Sequence, residues 1–334
     1  MNLEPIFIAG PDRSGTTLMY ALMASHPEIS MVRRTNMWRY FYRRYGDLSH
    51  PENLERCLRD MVKYNRMRHL KPDPERIRRE FLLGEPTYGN LFSLFHRHHA
   101  ERAGKRRWGD KSLHTEHYVN EILDEFPAAR IIHMTRDPRD RYASVRKRHH
   151  QDNPRIGAAV GRWLLSMKRA QQNTKEHPEN CLIVRYEELA SNPEEISRKV
   201  CEFIHEDFSH SMLNLEGAAD YQQRGGNSSF NRIEPGTIST RPIGRFREVL
   251  SPEEITFIQF FSGDLMKSFG YSLEPVRLSL RQKARYFLFF FPVNFARMLA
   301  WMTLTKFQIR RGIKVPSFRL LDEPVASEQK ASTG

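Results

Sequence analysis

An apolar run, Ile6-Phe7-Ile8-Ala9, leads directly into Gly10-Pro11-Asp12-Arg13-Ser14-Gly15-Thr16-Thr17, after which Leu18, Leu22 and Met23 recur at helical spacing. A buried strand, a turn bounded by two glycines and a helix N-terminus together make an anion cradle, because backbone N–H groups and the helix dipole point at one spot. Loops that hold nucleoside triphosphates add a lysine that reaches the β and γ phosphates. Here Thr16 occupies that position, and the nearest cation is Arg13, ahead of the second glycine. The segment is therefore suited to a phosphate, held by Arg13, Ser14, Gly15, Thr16 and Thr17, and poorly equipped for a triphosphate.

Two further apolar runs, Ile131-Ile132-His133-Met134 and Leu182-Ile183-Val184, also lack strict alternation. Runs of this kind are strands buried on both faces, the signature of a parallel sheet covered by helices. In open α/β sheets the ligand lies beyond the carboxyl ends of the strands, so Arg13, Arg136 and Tyr186 are expected to converge on one crevice. A guanidinium binds phosphate bidentately and keeps its charge, so two arginines at separate strand ends suit a ligand carrying two phosphates.

Three sequence elements now combine. Arg13-Ser14-Gly15-Thr16-Thr17, then Arg136 followed eight residues later by Ser144, then Val184-Arg185-Tyr186-Glu187-Glu188-Leu189 with Asn192-Pro193 occur in that order. In this the chain resembles the sulfotransferases that use 3′-phosphoadenosine 5′-phosphosulfate (PAPS), over roughly residues 4 to 273. The resemblance implies a three-layer P-loop-like α/β fold with a central parallel sheet, a 5′-phosphosulfate loop at Arg13–Thr17 and a 3′-phosphate element at Arg136 and Ser144. It further implies an adenine contact at Ser229 and Phe230, a loop around Gly244 and Phe246 whose Arg241 or Arg245 reaches the donor, and no metal.

The same resemblance directs attention to Trp108-Gly109-Asp110-Lys111-Ser112-Leu113-His114 for the catalytic groups, with Lys111 as the donor-contacting lysine. Some relatives take a catalytic glutamate from the segment after the first helix, where this chain has Val32-Arg33-Arg34-Thr35-Asn36 and no carboxylate. The candidate bases are therefore His114, whose ordinary pKa near ~6.5 suits neutral pH, and Asp110, which needs its pKa raised by burial. Glu85 is an outside candidate. The remaining alternatives are a kinase-like nucleotide enzyme, which Thr16 opposes, and a nucleotide-binding relative without turnover.

The rest of the chain divides around these motifs. Residues 1–275 form the expected catalytic domain, with 27–105 a mainly helical insertion that caps the acceptor site; Trp38, Phe41, Tyr42 and Tyr45 are expected to be its buried face. Ser251 with Glu254 makes a capping box for a helix through Phe269, ended by Gly270. Residues 276–326 form a basic, aromatic appendage and 327–334 a polar, disordered tail. Between Tyr286 and Phe307, Pro292, Asn294 and Arg297 interrupt an apolar stretch flanked by cations, which opposes a spanning helix and leaves two equal readings for 277–315: a helix lying in an anionic interface, or one that packs on its own domain or a second subunit.

The net charge of +13 agrees with an anionic cofactor, an acidic acceptor or an anionic membrane surface. The basic residues are spread and carry no RNA-binding signature, so nucleic acid is not expected. Cys57, Cys181 and Cys201 are scattered, which suits reduced thiols. The N-terminus enters the first strand without a leader, so the expected location is the cytoplasm, peripheral on the inner face of the membrane. The acceptor is left open among sugars, glycolipids, lipids and small molecules, and a homodimer is compatible with the appendage.

Overall fold

The computed structural model describes residues 4–148, 156–218, 221, 226–227, 234 and 236–311. Five parallel strands, β1 (Ile6–Ala9), β2 (Ile29–Arg33), β3 (Arg107–Lys111), β4 (Arg130–Thr135) and β5 (Cys181–Arg185), form one sheet in the order β2-β3-β1-β4-β5. The first strand is thus central. In register, Ile8 lies beside Lys111 on one side and Ile132 on the other, which brings the loop after β1 and the ends of β3 and β4 to the same edge.

Side chains alternate between two cores. Phe7, Val32, Trp108 and Ile131 face a cluster that includes Trp38, Phe41, Phe92 and Phe95, whereas Ile6, Ile8, Met31, Ile132 and Met134 face the loop helix Thr16–Ala24. Because both faces are covered, β1, β4 and β5 are mostly apolar, the pattern that marks them in sequence, whereas β3 (Arg107-Trp108-Gly109-Asp110-Lys111) is buried with polar residues that carry the site. The three cysteines are buried and unbridged.

The boundary of the expected insertion requires correction. Residues 29–33 are not part of a helical cap; they are β2, paired with β3 from Ile29 beside Arg107 to Arg33 beside Lys111. Ser30 and Arg33 broke the apolar run, but a sheet-edge strand tolerates them, since Ser30 is buried and Arg33 stacks on Tyr20 of the loop helix at 5.5 Å. The cap proper follows, with helices Pro51–Lys63, Pro74–Phe81 and Tyr88–Arg102. Asp73 and Thr87 cap the second and third by accepting from the backbone N–H groups of Arg76 and Asn90. Trp38, Phe41 and Tyr42 are buried as expected, although the helix there is only the single turn Met37–Tyr40.

The long helix Ile156–Glu176 covers the sheet beyond β4, and the helix Pro252–Ser268 packs on it, with both halves of the Ser251/Glu254 capping box formed. The helix Pro193–Phe203 starts where expected, but Asn192 makes no side-chain cap. At the C-terminus, Leu280–Arg285, a π turn over Tyr286–Phe290 and the helix Phe291–Arg311 run on as one rod. The wider turn accommodates Pro292, which has no N–H to donate, so the proline does not end the helix. By length and composition Leu280–Ile309 is long and apolar enough to cross a membrane, yet one side of it rests on the long helix.

That contact depends on two glycines. A Cβ on Gly157 would lie 2.0 Å from the Asn294 carbonyl oxygen, and one on Gly161 would lie 2.9 Å from Met302 Cγ. The two rods approach so closely only because both positions lack a side chain.

Candidate active site

The loop after β1 is shaped by backbone sterics. Gly10 has φ 121° and a Cβ there would meet the Met134 carbonyl oxygen at 2.4 Å; Gly15, at φ 87°, would meet Tyr186 Cδ2 at 2.6 Å. The loop therefore lies directly against the end of β4 and the Tyr186 ring. Arg13 adopts a left-handed φ of 66°, a conformation that costs a non-glycine residue about 1–3 kcal/mol and is kept where the surroundings enforce it.

Its guanidinium crosses to the second element: Arg13 Nε donates to Ser144 Oγ at 2.9 Å. Arg136, at the end of β4, donates to the Arg13 carbonyl at 3.2 Å and to the Pro242 carbonyl at 2.8 Å, and its guanidinium lies 4.4 Å from the Tyr186 ring centroid. Arg13, Arg136, Ser144 and Tyr186, from three distant segments, thus stand in one group beside the N-termini of the helices Thr16–Ala24 and Pro138–Arg148. Burial pushes the Tyr186 hydroxyl pKa up, keeping it a neutral donor. Ser14 Oγ and Arg136 Nε are buried with no hydrogen-bond partner among the described residues. Two unmet donors at a loop of this geometry fit an anionic ligand with phosphate oxygens.

Residues that sequence reading passed over brace this group. Asp12 accepts from Arg141 at 2.6 Å and from Arg162 at 2.8 Å; burial opposes its charge, but the two guanidiniums hold the carboxyl well below the usual range. Asp140 accepts from the backbone N–H groups of Gly244 and Phe246 at 2.6 and 2.8 Å, tying the later loop to the helix after β4. Asn227 donates to Tyr186 Oη at 3.0 Å and to the Ser239 carbonyl at 2.7 Å. For Asp140 and Arg141 the signal was the density of charge in Arg136–Arg141, which reads as solvated surface until topology buries it. Arg241 is exposed, Arg245 pairs with Glu248 at 3.0 Å, and Ser229 and Phe230 lie outside the described residues.

The end of β3 carries the remaining candidates on opposite sides. Lys111 is buried; burial, then the nearby charges of Arg34 and Arg33, lower its pKa to about 8. Asp110 points the other way, where its Oδ2 accepts from Thr35 Oγ1 at 2.7 Å and Ser112 Oγ at 2.9 Å, and burial raises its pKa to about 6. Ser112 Oγ in turn accepts from the Asn36 N–H, so this network joins the end of β2 to the end of β3.

His114 sits beyond them at φ 71° and lines a narrow cavity with Gly10, Pro11, Asp12, Glu116 and His117. Burial, then Arg39, pushes its pKa down, so the imidazole is neutral at pH 7. It also lines a second cavity of about 220 Å³ with Arg39, Tyr118, Arg162, Trp301 and Thr305. Glu85 is exposed on the cap, its carbonyl engaged by Asn90. Among the described residues no group of three His, Cys, Asp or Glu is placed to hold a metal ion.

Similarity to known proteins agrees with this geometry. The protein-tyrosine sulfotransferase of Drosophila melanogaster is 24% identical over 219 residues, covering 63% of this chain and 40% of that protein. Protein-tyrosine sulfotransferase 1 of Danio rerio is 25% identical over 244 residues, covering 71% and 62%. The chain thus spans less than two thirds of the length of either relative. Among solved structures, the sulfotransferase domain of the Synechococcus PCC 7002 olefin synthase superposes with a TM-score of 0.56 at 23% identity, covering 82% of this chain and 97% of that one. Residues 5–210 match the sulfotransferase family as a whole, and the chain belongs to that family.

Proposed function

We propose that this chain transfers a sulfuryl group from PAPS to an acceptor hydroxyl, with Lys111 and His114 as its catalytic residues. The observation that carries the reading is the meeting of Arg13, Ser144 and Arg136 at one crevice: two guanidiniums and two helix N-termini suit a nucleotide phosphorylated at both 5′ and 3′ positions. When bound, the donor supplies an activated sulfuryl group on a good leaving group. Arg13, Ser14, Gly15, Thr16 and Thr17 hold the 5′ side, Arg136 and Ser144 the 3′ side, and Tyr186 and the Gly244 loop close over them.

Of the two bases, His114 is favoured. It borders both the loop residues Gly10 to Asp12 and an open cavity, whereas Asp110 is committed to Thr35 and Ser112 in the core. His114 takes the proton of the acceptor hydroxyl as that oxygen bonds to sulfur; the sulfur–oxygen bond to the 5′-phosphate breaks, and its electron pair leaves on the phosphate. Protonated Lys111 offsets the charge that develops there. Together with the flanking Arg33 and Arg34, it keeps the strand end positive.

Calorimetry with 3′,5′-bisphosphoadenosine, AMP and ATP tests the donor half without any acceptor. The bisphosphate is expected to bind without magnesium and at least tenfold more tightly than AMP, since each charge-assisted contact is worth about 1.5–3 kcal/mol. Equal affinity for AMP would overturn the reading.

A further inference from the structure

From Pro275 to Leu321 the sequence contains ten Lys or Arg and no Asp or Glu, so this stretch supplies most of the net charge of +13. Within it, the helix Phe291–Arg311 has two faces. Asn294, Met298 and Thr305, spaced by four and seven, are buried on the long helix. Val293, Ala296, Ala300, Leu304 and Phe307, spaced by three and four, form the opposite side, and all are exposed, Leu304 at 60% and Phe307 at 50%. Upstream, Phe287, Leu288 and Phe289 are about two thirds exposed.

No charge interrupts that outer stripe, and exposed cations border it: Arg281 and Lys283 at one end, beside Arg285 in its ion pair with Glu253, and Arg297 and Lys306 along its edges. An apolar stripe about 20 residues long with a basic margin and no acid complements an anionic lipid surface. An open groove of about 440 Å³ beside Phe289, Phe290 and Val293 carries charges that are already paired, Arg146 with Glu254 and Arg285 with Glu253, so the unbalanced cations are those of the helix itself. The inner face of the same helix contributes Trp301, Thr305, Gln308 and Ile309 to the cavity that His114 lines. One rod therefore has the membrane-compatible surface on one side and the acceptor cavity on the other.

We propose that the C-terminal helix lies in the interface of an anionic membrane by its outer face, with the His114 cavity behind it one helix width, about 10 Å, from the lipid surface, so that the acceptor is a hydroxyl on the projecting headgroup of a membrane lipid. The docking stands on the helix alone, while the choice of acceptor rests on the sulfuryl-transfer reading above. Arg39 and Arg162, the latter also paired with Asp12, give the cavity wall a positive charge that suits a headgroup that is itself anionic. Bond making and breaking are as already given, with the lipid hydroxyl as the attacking oxygen, His114 receiving its proton and the sulfuryl group passing from the 5′-phosphate to that oxygen.

The full chain would be sedimented with vesicles of phosphatidylcholine containing phosphatidylglycerol, and with phosphatidylcholine alone. Binding is expected only to the anionic vesicles, with release by salt, because the attraction is screened over ~8 Å at physiological ionic strength. Val293→Glu combined with Leu304→Glu places both changes on the exposed outer face; it is expected to weaken vesicle binding more than tenfold and to leave the unfolding temperature and bisphosphate affinity unchanged. In a second arm, labelled PAPS is incubated with vesicles of total membrane lipid and, separately, with a soluble tyrosine peptide. Label is expected in the lipid fraction, and the double variant should lose it.

Absence of vesicle binding, binding that the double variant retains, resistance of bound protein to alkaline carbonate as expected of a spanning helix, or label on the peptide alone would each overturn the proposal. Failure to bind the bisphosphate would instead remove the donor reading and leave the vesicle result standing.

Discussion

Around Arg13 and Arg136 the crevice is made of short motifs at strand ends, fixed by backbone: glycines that admit close approach, carbonyls that receive guanidinium protons, and N–H groups held by Asp140. Around His114 it is made of side chains from the cap, the segment after β3, the long helix and the C-terminal rod, none adjacent in sequence. The first region depends on conformations that few sequences can adopt, so it leaves a recognisable trace. The second depends on volume and polarity, which many sequences can supply, so it can change acceptor without disturbing the donor.

This contrast can be broken most directly at the base. His114→Ala is expected to lower kcat by ~10²- to 10⁴-fold with bisphosphate affinity unchanged, whereas Asp110→Asn, which keeps an oxygen acceptor for Thr35 and Ser112, should change kcat only a few fold. Steady-state kinetics with labelled donor, paired with calorimetry, reads both. A large loss in Asp110→Asn and none in His114→Ala would transfer the role to Asp110. Because the His114 pKa is depressed, the acidic limb of the kcat profile should lie below the ~6.5 of an ordinary histidine.

The donor side gives the next largest effect. Arg136→Ala removes the cation that joins the Arg13 carbonyl, the Pro242 carbonyl and the Tyr186 ring, and should weaken bisphosphate binding roughly ten- to a hundredfold. The expected signature is a change in affinity with a smaller change in kcat at saturating donor. An effect confined to kcat would mean that the two regions are not separable as drawn.

The smallest effect is a pH dependence that belongs to neither region alone. In the free chain Lys111 is protonated below about 8, because burial disfavours its charge, and an anionic ligand needs the protonated form. Bisphosphate affinity should therefore fall as pH rises from 7 to 9, by up to about tenfold, as the protonated fraction declines. Lys111→Arg, which stays charged, should flatten that dependence.

What could be read from the sequence follows the same division. Parallel strands β1, β4 and β5, the glycine loop, Arg136 with Ser144 and the Ser251 cap were legible because each rests on local chemistry: burial on both faces, left-handed backbone, a side chain reaching the third N–H. β2 was not, since Ser30 and Arg33 interrupt its apolar run and only pairing with β3 makes it a strand. Asp12, Asp140 and Arg162 were missed because their value lies in partners 104 to 150 residues away. The His114 cavity was out of reach for the same reason: its far wall is the C-terminal helix.

The seam formed by Gly157 and Gly161 also has a consequence in time. The long helix ends at Glu176 and the part of the rod that covers its glycines begins at Phe291, so during synthesis that groove stays uncovered while more than a hundred residues are added. At ~5–20 residues per second this amounts to roughly ten seconds. All five strands are made before the helix Phe291–Arg311 begins, so the nascent chain has every strand of its sheet while the apolar cluster around Trp163 and Phe257 still lacks Met298. A chain released in that interval would carry the phosphate-binding elements with an open, sticky groove where the acceptor wall belongs.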